Sequence, residues 1–146
     1  MANIVPDSFK TDLLKGTFSF DTSGNSGSTF KLALYTDISG FSTSSTAYTT
    51  SNEVSSSGTS YTAGGNTLTN NGVAVSSNIA YVDFADLTFS SVTLSAVGAL
   101  IYKSGGTNPA VLVLDFGGTK TATNGDFVVQ FPTANSSSAI IRLGDA

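Results

Sequence analysis

The fold is decided by the stretch Thr93–Gly118, which has the sequence TLSAVGALIYKSGGTNPAVLVLDFGG. It contains two apolar runs, Ala96–Tyr102 and Ala110–Phe116, separated by the loop Ser104–Pro109. The β-branched residues of the runs, with the Gly-Gly and Asn-Pro pairs of the loop, favour two strands of a hairpin over a helix. Both runs are apolar on both faces, and such strands need to be covered on each side. We therefore predict that this hairpin lies at the centre of an all-β domain.

Strict alternation along the second run predicts that Val111 and Val113 share one face, with Leu112 and Leu114 on the other. Shorter apolar or alternating runs on both sides of the hairpin predict further strands, and a turn is expected over Thr22–Ser28. These runs begin at Phe18, Phe30, Leu68, Ile79, Leu87, Val92, Phe127 and Ala139. The count is about eight to ten strands with turns at the spacing of a sandwich. We predict an antiparallel β-sandwich or barrel-like domain over residues 17–146, with a long loop at 37–66.

Residues 1–16 are predicted to form an N-terminal arm with one short helix. The helix is expected over Asp7–Lys15, with Asp7 or Ser8 as its N-cap and Gly16 in the left-handed position that closes it. A helix this short needs to be held by packing, here through Phe9, Leu13 and Leu14, of which Phe9 and Leu13 lie one turn apart. It either packs across one mouth of its own sandwich or reaches a neighbouring subunit.

The composition narrows the classes of partner. The chain has 146 residues, the length of one domain, with 6 Lys+Arg against 10 Asp+Glu and a net charge of -4. Because no basic cluster is present, we expect no binding to nucleic acid. No apolar run approaches the length of a membrane span and no secretory signal is recognised at the start, so we expect no membrane association and synthesis in a cytoplasm.

The sequence offers little for catalysis. It contains no histidine and no cysteine, which excludes a Ser-His-Asp triad and a thiol nucleophile. Asp83, Asp115 and Asp126 could in principle be assembled into paired carboxylates, but we expect them to bond turn amides and to solvate strand ends. No segment has the spacing of a calcium-binding loop. We therefore predict a protein that is not an enzyme and has no metal or cofactor.

The loop at 37–66 carries few aliphatic residues but three aromatic ones, Phe41, Tyr48 and Tyr61. Loops of this length in compact domains are usually functional or mobile. Two alternatives remain open from the sequence. The loop either becomes ordered against a partner or is flexible.

Segments spread over most of the chain resemble a group of small virion proteins of tailed bacteriophages. The sequence departs from their pattern at Phe89, where tryptophan is expected, and in a longer Ser/Thr tract at Ser42–Ser51. The segments that carry the resemblance are Ser8-Phe9-Lys10, Leu13-Leu14 with Gly16, Phe30–Thr36, Asn52–Ser55, Ser60–Gly65, Asp86–Phe89, Gly98–Lys103, Asp115–Gly117 and Asn124–Phe127.

The resemblance implies a structural component of the particle, and most plainly a capsid decoration (cement) protein. Such a protein binds the outer surface of the major capsid protein lattice as a homo-oligomer, a trimer or a dimer, and stabilises the head. The partner-binding residues that we predict on this basis are Phe9, Leu13, Phe41, Tyr48, Glu53 and Tyr61.

Two other functions stay open from the sequence. A tail or fibre component of the same virion has similar requirements, and copy number and location in the particle separate it from a cement protein. A carbohydrate-binding β-sandwich is the second alternative, in which Tyr48 and Tyr61 form the aromatic platform for a sugar.

Overall fold

The computed structural model describes residues 2–23 and 27–144. The described residues form one short helix and seven strands in two antiparallel sheets, so the predicted all-β, sandwich-like fold is confirmed. The turn predicted over Thr22–Ser28 lies partly outside the described residues. The elements are α1 (Asp7–Leu14), β1 (Phe30–Tyr35), β2 (Asn66–Thr67), β3 (Asn70–Ser76), β4 (Ile79–Phe84), β5 (Leu87–Lys103), β6 (Ala110–Val129) and β7 (Ile141–Leu143).

The central hairpin is formed by β5 and β6, as the sequence predicts. The two strands pair with Gly98 opposite Asp115 and Ile101 opposite Leu112, and the loop between them spans 104–109. Leu100 and Val113 are fully buried, as is Ile101 on the opposite face. Burial on both faces follows from the apolar character of both faces.

Bulges change which side chains share a face. The β5–β6 register shifts between Ile101 and Tyr102, where Tyr102 pairs with Ala110. The extra residue is Val111, which packs in the same core cluster as Leu112, while Val113 belongs to the other cluster. The prediction from strict alternation was therefore wrong for Val111, because a bulge shifts the parity of a strand by one residue.

The strand count differs from the eight to ten expected, because β5 and β6 are unusually long. Their 17 and 20 residues join runs that the polar residues between them had separated in the sequence. The run at Phe18 and Phe20 is no strand, although both rings are buried. Phe20 stacks on Phe30 with 4.6 Å between the ring centroids.

The main core lies between the two sheets. The larger sheet has the strand order β2-β1-β5-β6 and the smaller one the order β3-β4-β7. Phe30 of β1 and Phe84 of β4 meet across this core with 5.7 Å between their ring centroids. Leu32 and Leu34 of β1 point into the same core.

The β3–β4 hairpin has a two-residue turn with a backbone that ordinary residues disfavour. Ser77 and Asn78 have φ angles of 52° and 61°, and the flanking pair is Ser76 with Ile79. Positive φ at both central residues is the requirement of a type I′ turn, for which Asn-Gly is the preferred sequence.

Placing Asn-Gly in this turn is expected to stabilise the protein. The double substitution Ser77→Asn/Asn78→Gly should raise the free energy of unfolding by about 1 kcal/mol, because it relieves the left-handed strain. Asn78→Ala is the control and should lower it by a similar amount. Urea denaturation of the three proteins measures this, and a double variant no more stable than wild type would contradict it.

Helix α1 is one residue shorter than predicted, and it packs on its own domain. Its N-cap is Pro6, without a side-chain cap, so neither Asp7 nor Ser8 has the predicted role. Gly16 closes the helix at φ 80°, where its amide bonds Leu13 O while Thr17 N bonds Asp12 O, the pattern of a Schellman motif. Of the two alternatives left open, packing on its own sandwich is the observed one.

The later part of the segment 36–65 runs along the edge of β1 and places Val54 and Tyr61 in the main core, and the first part covers the second face of the larger sheet. Ile38 and Phe41 are buried there with Tyr35 and Leu100 in a separate core cluster. Backbone bonds join the segment to the sheet, among them Val54 N to Leu34 O at 2.9 Å. This long loop is a packed layer of the monomer, an arrangement that neither alternative from the sequence included.

Candidate functional site

The six predicted partner-binding residues lie in two different places. Phe9 is 3% exposed and Leu13 is half-buried, and both line a groove beside the helix. The four loop residues are packed within the layer 36–65: Phe41 and Tyr61 are buried, and Tyr48 and Glu53 are half-buried. The structure therefore does not bring the six together. In the monomer the rings of Phe41 and Tyr61 face the interior and are 8% and 3% exposed.

Glu53, the one glutamate of the sequence, connects three parts of the loop layer. Its Oε2 accepts a hydrogen bond from the Tyr48 hydroxyl at 2.6 Å. Its Oε1 accepts one from the Tyr61 hydroxyl at 2.8 Å and one from the Gly64 amide at 2.6 Å. The carboxylate thus holds segments on both sides of it against the sheet, a structural role.

The tyrosines around Glu53 are kept protonated. Burial is the largest cause that raises the pKa of Tyr35, Tyr48, Tyr61 and Tyr102, and the nearby negative charge of Glu53 raises each pKa further. Each hydroxyl remains a donor at neutral pH, which suits the bonds it makes. Tyr48 also stacks on Tyr102 with 4.8 Å between their ring centroids. Of the two tyrosines expected to form a platform for a sugar, Tyr61 is 3% exposed and Tyr48 is half-buried.

Asp83, Asp115 and Asp126 accept hydrogen bonds from backbone amides, as predicted, but Asp83 is 1% exposed and therefore does not solvate a strand end as expected. The carboxylate of Asp83 accepts hydrogen bonds from Phe84 N at 2.9 Å and Ile140 N at 3.2 Å, and its burial raises its pKa. Asp126 accepts one from Ser91 N at 3.2 Å. Within residues 2–23 and 27–144 no three acidic side chains come together as metal ligands would.

The strongest candidate for a binding surface is an apolar groove of about 550 Å³ between α1 and β7, which we call the helix groove. Leu14 lies at its mouth and is 85% exposed, and Leu143 and Val5 on its walls are 54% and 38% exposed. Lys10 and Arg142 contribute its charged side chains, both positive. The complete lining is Val5, Phe9, Lys10, Leu13, Leu14, Val111, Leu112, Ile140, Ile141, Arg142 and Leu143.

Leu14 is exposed beside the exposed apolar side chains of Val5 and Leu143, and this makes the helix groove the candidate binding surface. Phe9 and Leu13 were predicted from the sequence to bind a partner, whereas Leu143 and Val5 were missed. Leu14 was predicted to hold the helix by packing, which is wrong because its side chain is 85% exposed. The helical period was a signal for Leu14, since it lies off the face that Phe9 and Leu13 share. No local signal existed for Leu143, because its position beside the helix depends on the pairing of β7 with β4.

In the described part of the chain, no helix has the length and apolar character needed to cross a membrane. Comparisons with protein-family models, with curated proteins and with solved structures found no match for this chain.

Proposed function

We propose that this protein is a structural virion protein of a tailed bacteriophage that decorates the outer surface of the capsid and stabilises the head. The observation that carries the proposal is the helix groove, with Leu14 exposed at its mouth. The resemblance of the sequence to small phage virion proteins supplies the partner, the major capsid protein. In this proposal the protein binds the capsid and catalyses no reaction.

The chemistry of the helix groove defines what fills it. The lining is apolar, so the complementary segment of the capsid protein presents aliphatic or aromatic side chains. Lys10 and Arg142 favour acidic residues at the flanks of that segment, although Lys10 is also paired with Asp7 at 2.8 Å. Covering one leucine side chain fully is worth about 1.5–3 kcal/mol.

One such contact gives a modest affinity, and the capsid lattice multiplies it. A closed shell offers many equivalent sites, and a subunit that bridges neighbouring capsid proteins through more than one contact gains effective concentration. A rigid adhesive module suits this role because little conformational entropy is lost on binding. In this fold the groove is formed by a helix and a strand, both packed on the main core.

Leu14→Lys should weaken binding to capsids at least about tenfold, because a lysine cannot fill the apolar contact and adds to the positive charge of the groove. The measurement is the number of copies bound per head as protein is added to heads that lack it. Val128→Lys is the matched control, since Val128 is 48% exposed on β6, outside the helix groove. It should bind like wild type.

Three outcomes would overturn the proposal. Heads that bind no wild-type protein would exclude decoration, and copies confined to one vertex in small multiples would indicate a tail or fibre component. Equal binding of the Leu14→Lys and wild-type proteins would exclude the helix groove as the contact. Hundreds of copies distributed over the head would support it.

A further inference from the structure

We propose that β3 pairs with β3 of a second copy of this chain, so that the two small sheets form one continuous antiparallel sheet across a two-fold axis at Ala74. The inference goes beyond capsid binding and concerns the edge of the small sheet, which borders the helix groove, since Val73 lines an apolar pocket with Leu13 and Leu143. It rests on the free edge of β3, on two exposed valines and on the absence of charge along this segment.

The edge of the small sheet is open at β3. The strand pairs with β4 on one side, and no other strand of the described residues pairs with its far side. Its start is covered, because the side-chain amide of Asn70 donates to Phe20 O at 2.9 Å and Gly72 lies against Thr22. Beyond the bulge between Asn70 and Val73, residues 73–76 follow a regular register with β4. They carry neither the lysine nor the proline that usually protects an edge.

Two valines of this edge are exposed on the side of the sheet that faces the core. Val73 lies opposite Val82, and Val75 lies opposite Ala80. Directly opposed residues share a face, and Val82 is buried in the main core. Val73 and Val75 nevertheless are 61% and 72% exposed, because the small sheet extends beyond the core at this end.

A two-fold axis at Ala74 places the valines of one copy opposite the valines of the second copy. In a symmetric antiparallel pair, opposed residues have the same parity, so an axis through Ala74 places Val73 opposite Val75 of the second copy and Val75 opposite Val73. Cross-strand pairs of β-branched residues stabilise a sheet. A shift of the register towards the start of β3 is opposed, because residues 20–22 cover that part of the strand. An axis through Val75 would leave Val73 opposite the turn residue Ser77.

Charge favours a second copy at this edge. The net charge of -4 makes two copies repel each other at most surfaces. The segment 66–78 contains no charged residue, so the two edges meet without like charges directly opposed. A neutral, self-complementary edge fits an identical edge without needing opposite charges on a different partner.

Disulfide trapping tests the register directly, because the sequence contains no cysteine. Ala74→Cys places two thiols directly opposite each other across the axis, at the separation of about 4.5–5.5 Å that a disulfide can close with small adjustments. Ser76→Cys is the control. In this register Ser76 and its counterpart lie four residues apart along the strands, about 13 Å.

The expected result is a covalent dimer of the Ala74→Cys protein under mild oxidation and none of the Ser76→Cys protein. Sedimentation equilibrium of wild type, without capsids, should show a concentration-dependent dimer that Val75→Lys abolishes and Val128→Lys retains. Circular dichroism checks that the variants fold. A wild-type monomer up to millimolar concentration, a dimeric Val75→Lys protein, or equal trapping of the two cysteine variants would each overturn the proposal.

Discussion

Replacing Glu53 with Ala is expected to lower the free energy of unfolding by about 3–5 kcal/mol, although Glu53 is only half-buried. The carboxylate accepts three hydrogen bonds, from the hydroxyls of Tyr48 and Tyr61 and from the amide of Gly64. Bonds to an ionised acceptor are the stronger class, and their loss leaves buried donors without a partner. Because these donors lie on both sides of Glu53 in the chain, the loss loosens the layer that covers one face of the central hairpin.

Two control variants distinguish the loss of these hydrogen bonds from the loss of a negative charge alone. Glu53→Gln keeps one acceptor oxygen and should cost about 1–2 kcal/mol, less than alanine. Asp12→Ala removes a half-buried carboxylate from a surface pair with the exposed Lys15, in which Asp12 Oδ1 and Lys15 Nζ are 3.7 Å apart, and should change stability by less than about 0.5 kcal/mol. Urea denaturation gives all three values. If Glu53→Ala and Asp12→Ala cost the same, Glu53 does not hold the loop layer.

The sequence predicted the centre of the fold because its signal is local. The two apolar runs appear in the structure as the paired, largely buried parts of β5 and β6, joined by the predicted loop at 104–109. The bulge at Val111 could not be predicted, because valine suits either face of a strand and nothing in its neighbours marks an extra residue. It could not be predicted either that β5 and β6 continue through the polar residues within them.

The need for cover on both faces of the hairpin was predicted correctly, but the part that the long loop plays in it was not. Two apolar faces required cover on both sides, and the loop does contain aromatic residues that supply it: Phe41 and Tyr48 lie on the second face, and Tyr61 packs in the main core. Phe41 and Tyr61 were nonetheless predicted to contact a partner, since a long polar loop gives no local indication that it folds back. Its position depends on contacts between distant residues, such as Tyr102 OH with Gly64 O at 2.7 Å.

The candidate site could be predicted only in part for a related reason. Helical spacing pointed to Phe9 and Leu13, which do line the helix groove. The opposite wall comes from β7, a strand of three residues whose place in the small sheet is set by its pairing with β4. A wall that short has no periodicity to recognise.

Replacing Phe9 with Ala is expected to lower the free energy of unfolding by about 3–5 kcal/mol, the usual cost of removing a buried aromatic side chain. Phe9 is 3% exposed, and its ring centroid lies 5.0 Å from that of Phe18 and 6.3 Å from that of Phe20. It is the residue through which α1 enters the main core, so its loss should release the helix as well as open a cavity. Thermal and urea denaturation measure the effect.

Leu14→Ala is the matched variant on the same helix. Leu14 is 85% exposed, so its truncation should change stability by less than about 0.5 kcal/mol. Its effect should appear in capsid binding instead, because the side chain contributes to the helix groove and not to the core. The two substitutions therefore separate the helix face that holds the fold from the face proposed to hold the capsid. A Phe9→Ala protein as stable as wild type would show that α1 is an appendage, and the helix groove would then lack the fixed wall that the proposed docking requires.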